Sequence, residues 1–492
     1  RPVALNRLAL ILLRPVARQP VQLGVALLAV LLLAVAVGLR LWWLAWGGLG
    51  LLGYVSLARP SLWAAVLLFS LPFYFSQSLP ILPTRATNFI DLGLLGGLVV
   101  TGLHRWLLAP PVSQRVLPAL IRRWSTVWGW ALAALVVWAL AAAAAAEYTA
   151  LALREWRTVF LAGGLLALLL RGALADGRPG DRRLLVMAWL AGATVVAAVG
   201  LWHFAAGVML IEAEGVQRIR VFYGSPNNLA LYLERTLPVA LAFVLLLPSG
   251  RDRWLALAAA LVQGAALLLT FSKGSLLLGL PAGLATLWLG GWVVLRARGH
   301  SRRPLWWITG AAGAGLLLLL PFLGTERFQR LLDFSQGTGF FRLLLWRSAW
   351  QMALDHPLWG VGPDNFLYVF RSEYLLPAAW QEPNLNHPHN WPLDWWTRLG
   401  LPGLLLGIAF FGAGCRLLWL RLRSVLRGDT AGVALWLGLL ASALAALIHG
   451  LIDLSYAAPD LMLVWVFTFS LATIPDAPGS RRDEVTETGY SL

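Results

Sequence analysis

Long uninterrupted apolar stretches restrict this chain more than any other feature. Segments such as VQLGVALLAVLLLAVAVG (21–38) and WALAALVVWALAAAAAA (130–146) reach or approach the roughly 20 residues that cross a hydrocarbon layer of about 30 Å. Water cannot complete a backbone hydrogen bond in such a layer, so segments of this kind close their bonds internally as helices. The chain is 59% apolar with a mean hydropathy of +0.71, which leaves the runs as spans rather than the interiors of soluble domains. The expected fold is an all-α integral membrane protein, a polytopic bundle of about 12–14 spans.

Breaks at charge and proline clusters place the spans near 21–37, 39–56, 61–79, 88–108, 125–146, 157–174, 184–207, 228–247, 254–271, 275–296, 305–323, 398–420, 431–452 and 459–474. The division near Arg40 is the least marked. This gives eleven spans in residues 1–323, a large loop over 324–397, three spans in 398–474, and a polar tail over 475–492 expected to be disordered and cytoplasmic. The basic start RPVALNRLALILLRPVARQP leads into full-length spans with no small-residue cleavage pattern, so no cleavable signal peptide is expected.

A net charge of +16 raises nucleic acid as a partner, but the arginines are dispersed among short connectors instead of gathered on one face. That is the positive-inside pattern, and no nucleic-acid partner is expected. One set of connectors is basic: the N-terminus, QRVLPALIRRW, ADGRPGDRR, PSGRDR, RARGHSRRP and RLRSVLRGD. They belong in the cytoplasm, with both termini. The other set faces outward: EYTALALREWRT, IEAEGVQRIRVFYGSPNN, FSKGS, residues 324–397 and IDLSYAAPD. Cys415 is the only cysteine, which excludes an intrachain disulfide, a CxxC redox pair and a cysteine zinc site.

Loops as long as 324–397 are usually functional or folded. Within it, FFRLLLWRSAWQMALDHP repeats Phe341, Leu344, Leu345, Ser348, Ala349 and Met352 at helical spacing, with Arg342 and Gln351 off that face. The spacing predicts an amphipathic helix lying on the outer membrane surface.

Four outward-facing groups of residues are candidates for chemistry. Arg218 and Arg220 precede a Gly-Ser-Pro-Asn-Asn turn that opens a span, where a plain helix entry capped by Ser225 or Asn227 is an equal reading. Lys273 is the only lysine, and a cation at a membrane edge calls for an anionic partner or snorkels to the headgroups. Arg218, Arg220 and Lys273 share one side of the membrane, near helix ends, as a phosphate or pyrophosphate site requires. His387 and His389, beside Asn390, offer an imidazole that titrates near neutral pH and can act as a base or bond a headgroup. No acid or cysteine lies at ligand spacing from them, so no metal site is expected; Trp391, Trp395 and Trp396 read as an interfacial belt. Arg342, Arg347, His356, Asp364 and Asn365 mark the long loop and are mostly structural in character.

Taken in order, these stretches resemble the O-antigen ligase and polymerase superfamily, bacterial membrane glycosyltransferases that use polyprenyl pyrophosphate donors. The likeness runs from about residue 215 to 405. It comprises Arg218 eight residues before Pro226-Asn227 with YLERTLP following; Thr270, Ser272, Lys273 and Gly274; RLLLWRSAWQMALDHPLWGVGPDNF; and HPHNWPLDWWTRLGLPG. Lys273 stands where the family more often has Arg, keeping the charge but losing the two-pronged fork. The resemblance implies a GT-C-like bundle in the bacterial cytoplasmic membrane. It implies a metal-independent, inverting transfer of a glycan from a polyprenyl (undecaprenyl) pyrophosphate to an acceptor on the outer side, without a cofactor. Carried over by position, Arg218 and Lys273, with Arg220, would hold the pyrophosphate; His389 would take the acceptor proton, Asn390 would position the hydroxyl, and Arg342 and His387 rank second. The acceptor is a growing glycan, a lipid-anchored sugar or a protein. A transporter or lipid-linked glycan flippase is the competing reading, and it would show paired repeats and broken helices near the midplane.

Overall fold

Leucine- and alanine-rich runs carry strong helix propensity and no competing side-chain hydrogen bonds, and they close as helices throughout. The structure, a computed structural model, describes residues 13–108, 126–326 and 337–474 apart from Ala17, Gln77, Ser455 and Ala457. The N-terminal residues 1–12, the basic connector 109–125, residues 327–336 of the long loop and the tail 475–492 expected to be disordered lie outside the described residues.

In chain order the helices are α1 (Gln19–Leu39), α2 (Trp42–Ala58), α3 (Ser61–Ser70), α4 (Phe89–Leu108), α5 (Val127–Ala145), α6 (Thr149–Ala173), α7 (Asp181–Ala206), α8 (Pro226–Leu246), α9 (Arg251–Leu269), α10 (Ser275–Ala297), α11 (Arg303–Leu319), α12 (Gly337–Asp355), α13 (Trp391–Val425), α14 (Thr430–His449) and α15 (Pro459–Thr473). Among the described residues, 10 helices are long and apolar enough to cross a membrane, and α2, α3 and α15 are shorter apolar ones. The protein is an all-α polytopic membrane protein. Among the described residues the little sheet is two antiparallel hairpins, β1 (Ser78–Leu82) with β2 (Arg85–Asn88), and β3 (Ile211–Ala213) with β4 (Val216–Arg218).

Helices α8 and α14 stand at the centre, with most side chains buried, while α1, α9, α10 and α11 turn apolar faces outward, as lipid-facing helices do. Arg40 separates α1 from α2 in a left-handed conformation (φ 55°), its N–H closing onto Ala36 and Val37. The connectors gather at two ends. At one, Arg183 pairs with Asp252, Arg298 binds the Leu426 carbonyl at 2.8 Å and Thr430 at 2.7 Å, and Arg182 and Arg421 both donate to the Ile474 carbonyl. These are the arginine-rich connectors. At the other end the Tyr148 N–H bonds Asn365 at 2.8 Å, the Ile219 N–H bonds the Leu269 carbonyl at 3.2 Å, and the Trp391 N–H bonds the Gly450 carbonyl at 2.8 Å.

Three expectations are corrected here. The span over 61–79 stops at Phe73, because the proline-punctuated LPFYFSQSLPILP turns back as the β1–β2 hairpin. The span expected from 398 belongs to a helix that starts at Trp391 and is interrupted at Gly400 (φ 70°, ψ −178°), two residues before Pro402. The long loop fills that break: Val361 and Gly362 donate to the carbonyls of Thr397 and Arg398, and Leu401 donates to Pro357 at 2.8 Å. Non-helical backbone in a membrane helix is stable when protein satisfies it in this way. Finally, the face of α12 carrying Leu345, Ala349 and Met352 does not lie on the membrane; it packs on Val361, Phe366 and Phe370 of the same loop. Leu343, Trp350 and Leu354 are the exposed apolar residues of α12.

Candidate active site

The β3–β4 hairpin brings the first set of cations to the turn after α9. Arg218 is buried; its Nε donates to the Thr270 carbonyl at 2.7 Å and one terminal nitrogen donates to Asn227 at 2.8 Å. Asn227 is thereby engaged by Arg218, and the cap of α8 is Ser225, which accepts from the Asn228 N–H. Three residues beyond Thr270, Lys273 pairs with Glu214, at 3.1 Å, from the turn of the same hairpin. Arg218 and Lys273 therefore sit at one end of the bundle. Arg220 follows on the half-buried strand exit, and its Nε has no hydrogen-bond partner.

The second set comes from the long loop and the α14–α15 connector. His389 Nδ1 lies 2.9 Å from Asp453 Oδ1, and the His387 and His389 rings are 4.2 Å apart. Arg342 of α12 reaches to 3.9 Å from the other oxygen of Asp453, and α12 is tied to this turn by the Trp346 indole N–H on the Pro388 carbonyl at 2.8 Å. Asn390 caps α13 by accepting from Leu393 at 3.0 Å, and its amide donates to the Leu451 carbonyl at 2.9 Å. One end of that side chain thus caps α13 while the other straps the connector bearing Asp453.

A bridge joins the two sets. A Cβ at Gly274 would lie 2.2 Å from His449 Nε2, so the turn after Lys273 packs as bare backbone on the imidazole, which stands 4.0 Å from Asp453. Four of the seven described non-glycine residues with positive φ belong to this region: Glu214, Val221, Phe271 and His389. Such conformations disfavour L-residues by about 1–2 kcal/mol each, most severely for β-branched Val221, and strain of this kind concentrates at functional sites.

Charge follows from the geometry. Burial pushes the Asp453 carboxyl up, but His389 foremost, then His449 and Arg342, overcome it and hold it well below the usual carboxylate range. Burial and the neighbouring His389 hold His387 well below the ordinary imidazole value, which makes it a neutral companion. With Asp453 accepting at Nδ1, a neutral His389 carries its proton there and presents the Nε2 lone pair as a base. Ligand atoms of His387, His389 and Asp453 all lie within 4.8 Å of one another, a spacing at which an ion could be held. The arginine beside the carboxylate favours a hydrogen-bonded base over a dication at that spot.

Sequence reasoning misses Asp453 and Glu214. Asp453 lies 64 positions from His389; its one signal is an acid four residues after His449 at the end of an apolar run. Among the loop residues, Asp364 pairs with Arg154 and Asn365 bonds Tyr148, which are structural roles. A second buried cluster, in which Arg398 bridges Glu155 and Asp394 while Tyr456 bonds Asp394, ties α6 to α13 beside the site.

Residues 255–408 match the family model described as O-antigen ligase, a stretch that includes Lys273, Arg342, His387, His389 and Asn390. No curated protein matches the chain. Over those residues this membrane protein is similar to the O-antigen ligase family.

Proposed function

We propose that this protein transfers a glycan from a polyprenyl pyrophosphate to an acceptor hydroxyl at the outer face of the bacterial cytoplasmic membrane. The observation that carries the reading is the convergence, at the arginine-poor end of the bundle, of a cationic cradle (Arg218, Lys273) and an oriented base (His389 on Asp453), joined through Gly274 and His449. The arginine-rich connectors at the opposite end support a cytoplasmic position for that face.

In this mechanism the acceptor oxygen attacks the anomeric carbon from the side opposite the pyrophosphate. The new C–O bond forms as the C–O bond to phosphate breaks, with inversion. The hydroxyl proton passes to His389 Nε2, and Asp453 stabilises the imidazolium. The electron pair of the broken bond goes to the pyrophosphate, whose growing charge meets Arg218, Lys273 and Arg220; fixed cations in a low-dielectric site are commonly the largest catalytic contribution. Arg342 steadies Asp453, and no step requires a metal or cofactor.

The test is transfer of a labelled glycan off polyprenyl pyrophosphate in proteoliposomes holding the purified protein. Transfer is expected to survive EDTA and to be lost in His389→Ala and Lys273→Ala with melting temperatures retained. Full transfer in both variants refutes the assignment, and the molecule that gains label identifies the acceptor among glycan, lipid-anchored sugar and protein.

A further inference from the structure

Behind Asp453 stands a second imidazole–carboxylate pair for which the mechanism above has no use. His449, the last residue of α14, and Glu234 on α8 are almost wholly buried, with His449 Nδ1 2.7 Å from Glu234 Oε2. His449 Nε2 has no hydrogen-bond partner and lies 4.0 Å from Asp453 Oδ2; Glu234 Oε1 has none either. Bare backbone walls the pair in, since a Cβ at Gly274 or at Gly279 would lie 2.2 Å from His449 Nε2 or Glu234 Oε2. The charged and titratable groups around it are Arg235 on α8, Lys273 at the α9–α10 turn, Arg342 on α12, His389 and Asp453, with Asp460 on α15 facing Arg235.

Glu234, His449, Asp453 and His389 thus form an alternating row of carboxylates and imidazoles, and the row restricts where protons sit. A neutral imidazole has one N–H. Placed on Nδ1 it serves Glu234 and turns the Nε2 lone pair toward Asp453; placed on Nε2 it serves Asp453 and turns a lone pair on Glu234. Either arrangement opposes two electron-rich groups in a buried site, where unsatisfied polar atoms are strongly disfavoured. One additional proton, on either the imidazole or the Glu234 carboxyl, removes the conflict at both ends.

We propose that the Glu234–His449 pair holds one proton more than a carboxylate and a neutral imidazole, and that His449 is thereby a positioning residue for glycan transfer. Its Nε2–H faces the second oxygen of Asp453, which leaves the first on His389 Nδ1 while His389 Nε2 receives the acceptor proton. This rests on the transferase reading for its consequence, but the proton count stands on the geometry alone.

Two measurements separate the claims. The first is the ring ¹⁵N spectrum of His449 in lipid nanodiscs at pH 7, assigned by loss of the signal in His449→Phe and interpreted beside the same spectrum of Glu234→Gln. A proton on Nε2 in the wild type, together with a proton on either Nδ1 or Glu234, is expected. A bare Nε2 overturns the proposal. The second is transfer kinetics. His449→Phe keeps the ring volume without nitrogens, and kcat is expected to fall ~10–100-fold, the range for groups that orient a functional side chain, with donor KM within twofold. The amide introduced by Glu234→Gln can donate to His449 Nδ1 and let a neutral His449 keep Nε2–H toward Asp453, so this variant is expected to retain transfer where Glu234→Leu loses it. Unchanged kcat in His449→Phe, or equal loss in both Glu234 variants, overturns the positioning role. Absence of transfer in the wild type would sink the transferase reading instead, and the nitrogen spectrum would still decide the proton count.

Discussion

Lys273 and Glu214 face each other at 3.1 Å, each side chain about a fifth exposed, so a donor pyrophosphate has to displace a carboxylate to reach the ammonium. A partly screened pair of this kind contributes on the order of 1 kcal/mol. Glu214→Gln is therefore expected to lower the donor KM ~3–10-fold with kcat unchanged, most clearly at low salt, where screening is weak. A KM that stays the same or rises would show that Glu214 does not compete for the site. Asp453 works differently, through the tautomer and orientation of His389, and Asp453→Asn is expected to lower kcat ~10²–10⁴-fold at constant donor KM. The carboxyl is held below its ordinary value of about 4, so its contribution to stability is complete above that pH and is lost only as pH falls through the lower folded value. The melting-temperature difference between wild type and Asp453→Asn should accordingly stay constant from pH 8 down to pH 5. A gap that widens as pH falls from 7 to 5 would mean the carboxyl is raised rather than depressed. In the sequence, Lys273 and the His-Asn pair stand out by rarity and position, while their acidic partners look like ordinary loop residues.

Among the elements, α13 does the most to build the site, because its start and its break each fasten a different part. Asn390 starts the helix and straps the 450–453 connector; the break at Gly400 receives residues 357–362 of the long loop. The backbone at Gly400 combines positive φ with extended ψ, a region that side-chain-bearing residues essentially do not occupy. Gly400→Ala is expected to destabilise the protein by ~2 kcal/mol or more, the range for a residue forced into such a region. A lower melting temperature in detergent and faster protease cleavage within 357–362 would record it; wild-type values for both would mean the loop is not held by this break. Hydropathy places this span about seven residues late, since LDWWTRLG carries charges that read as loop while the fold buries Asp394 and Arg398 as partners. The amphipathic spacing of α12 is legible, yet the surface that receives it is not: an apolar face says that something must cover it, and the cover is formed by residues up to 25 positions further on.

For the whole molecule, the arginine-rich connectors and the candidate site occupy opposite ends, which makes sidedness testable. With Cys415 replaced by Ser, a single cysteine at exposed Trp380 is expected to react with an impermeant maleimide in intact cells. One at Arg251 should react only after permeabilisation. The reverse pattern would place the site in the cytoplasm and remove the reading of an outer-face transfer. The bundle's centre, α8 and α14, also carries Glu234, Arg235 and His449, charged or titratable groups that a span tolerates only when neighbouring helices shield and pair them.

The succession of spans, their helical character and the separation of the arginine-rich connectors from the others were determined by the sequence itself, because apolar length and local charge act over a few neighbouring residues and need no partner. The pairing of His389 with Asp453, the hold of Glu214 on Lys273 and the docking of a loop into a broken helix were decided by tertiary structure alone. Those contacts join residues 59 to 64 positions apart, or a loop to another helix, and hydrogen-bond distances of about 3 Å exist only once the helices that carry them have packed.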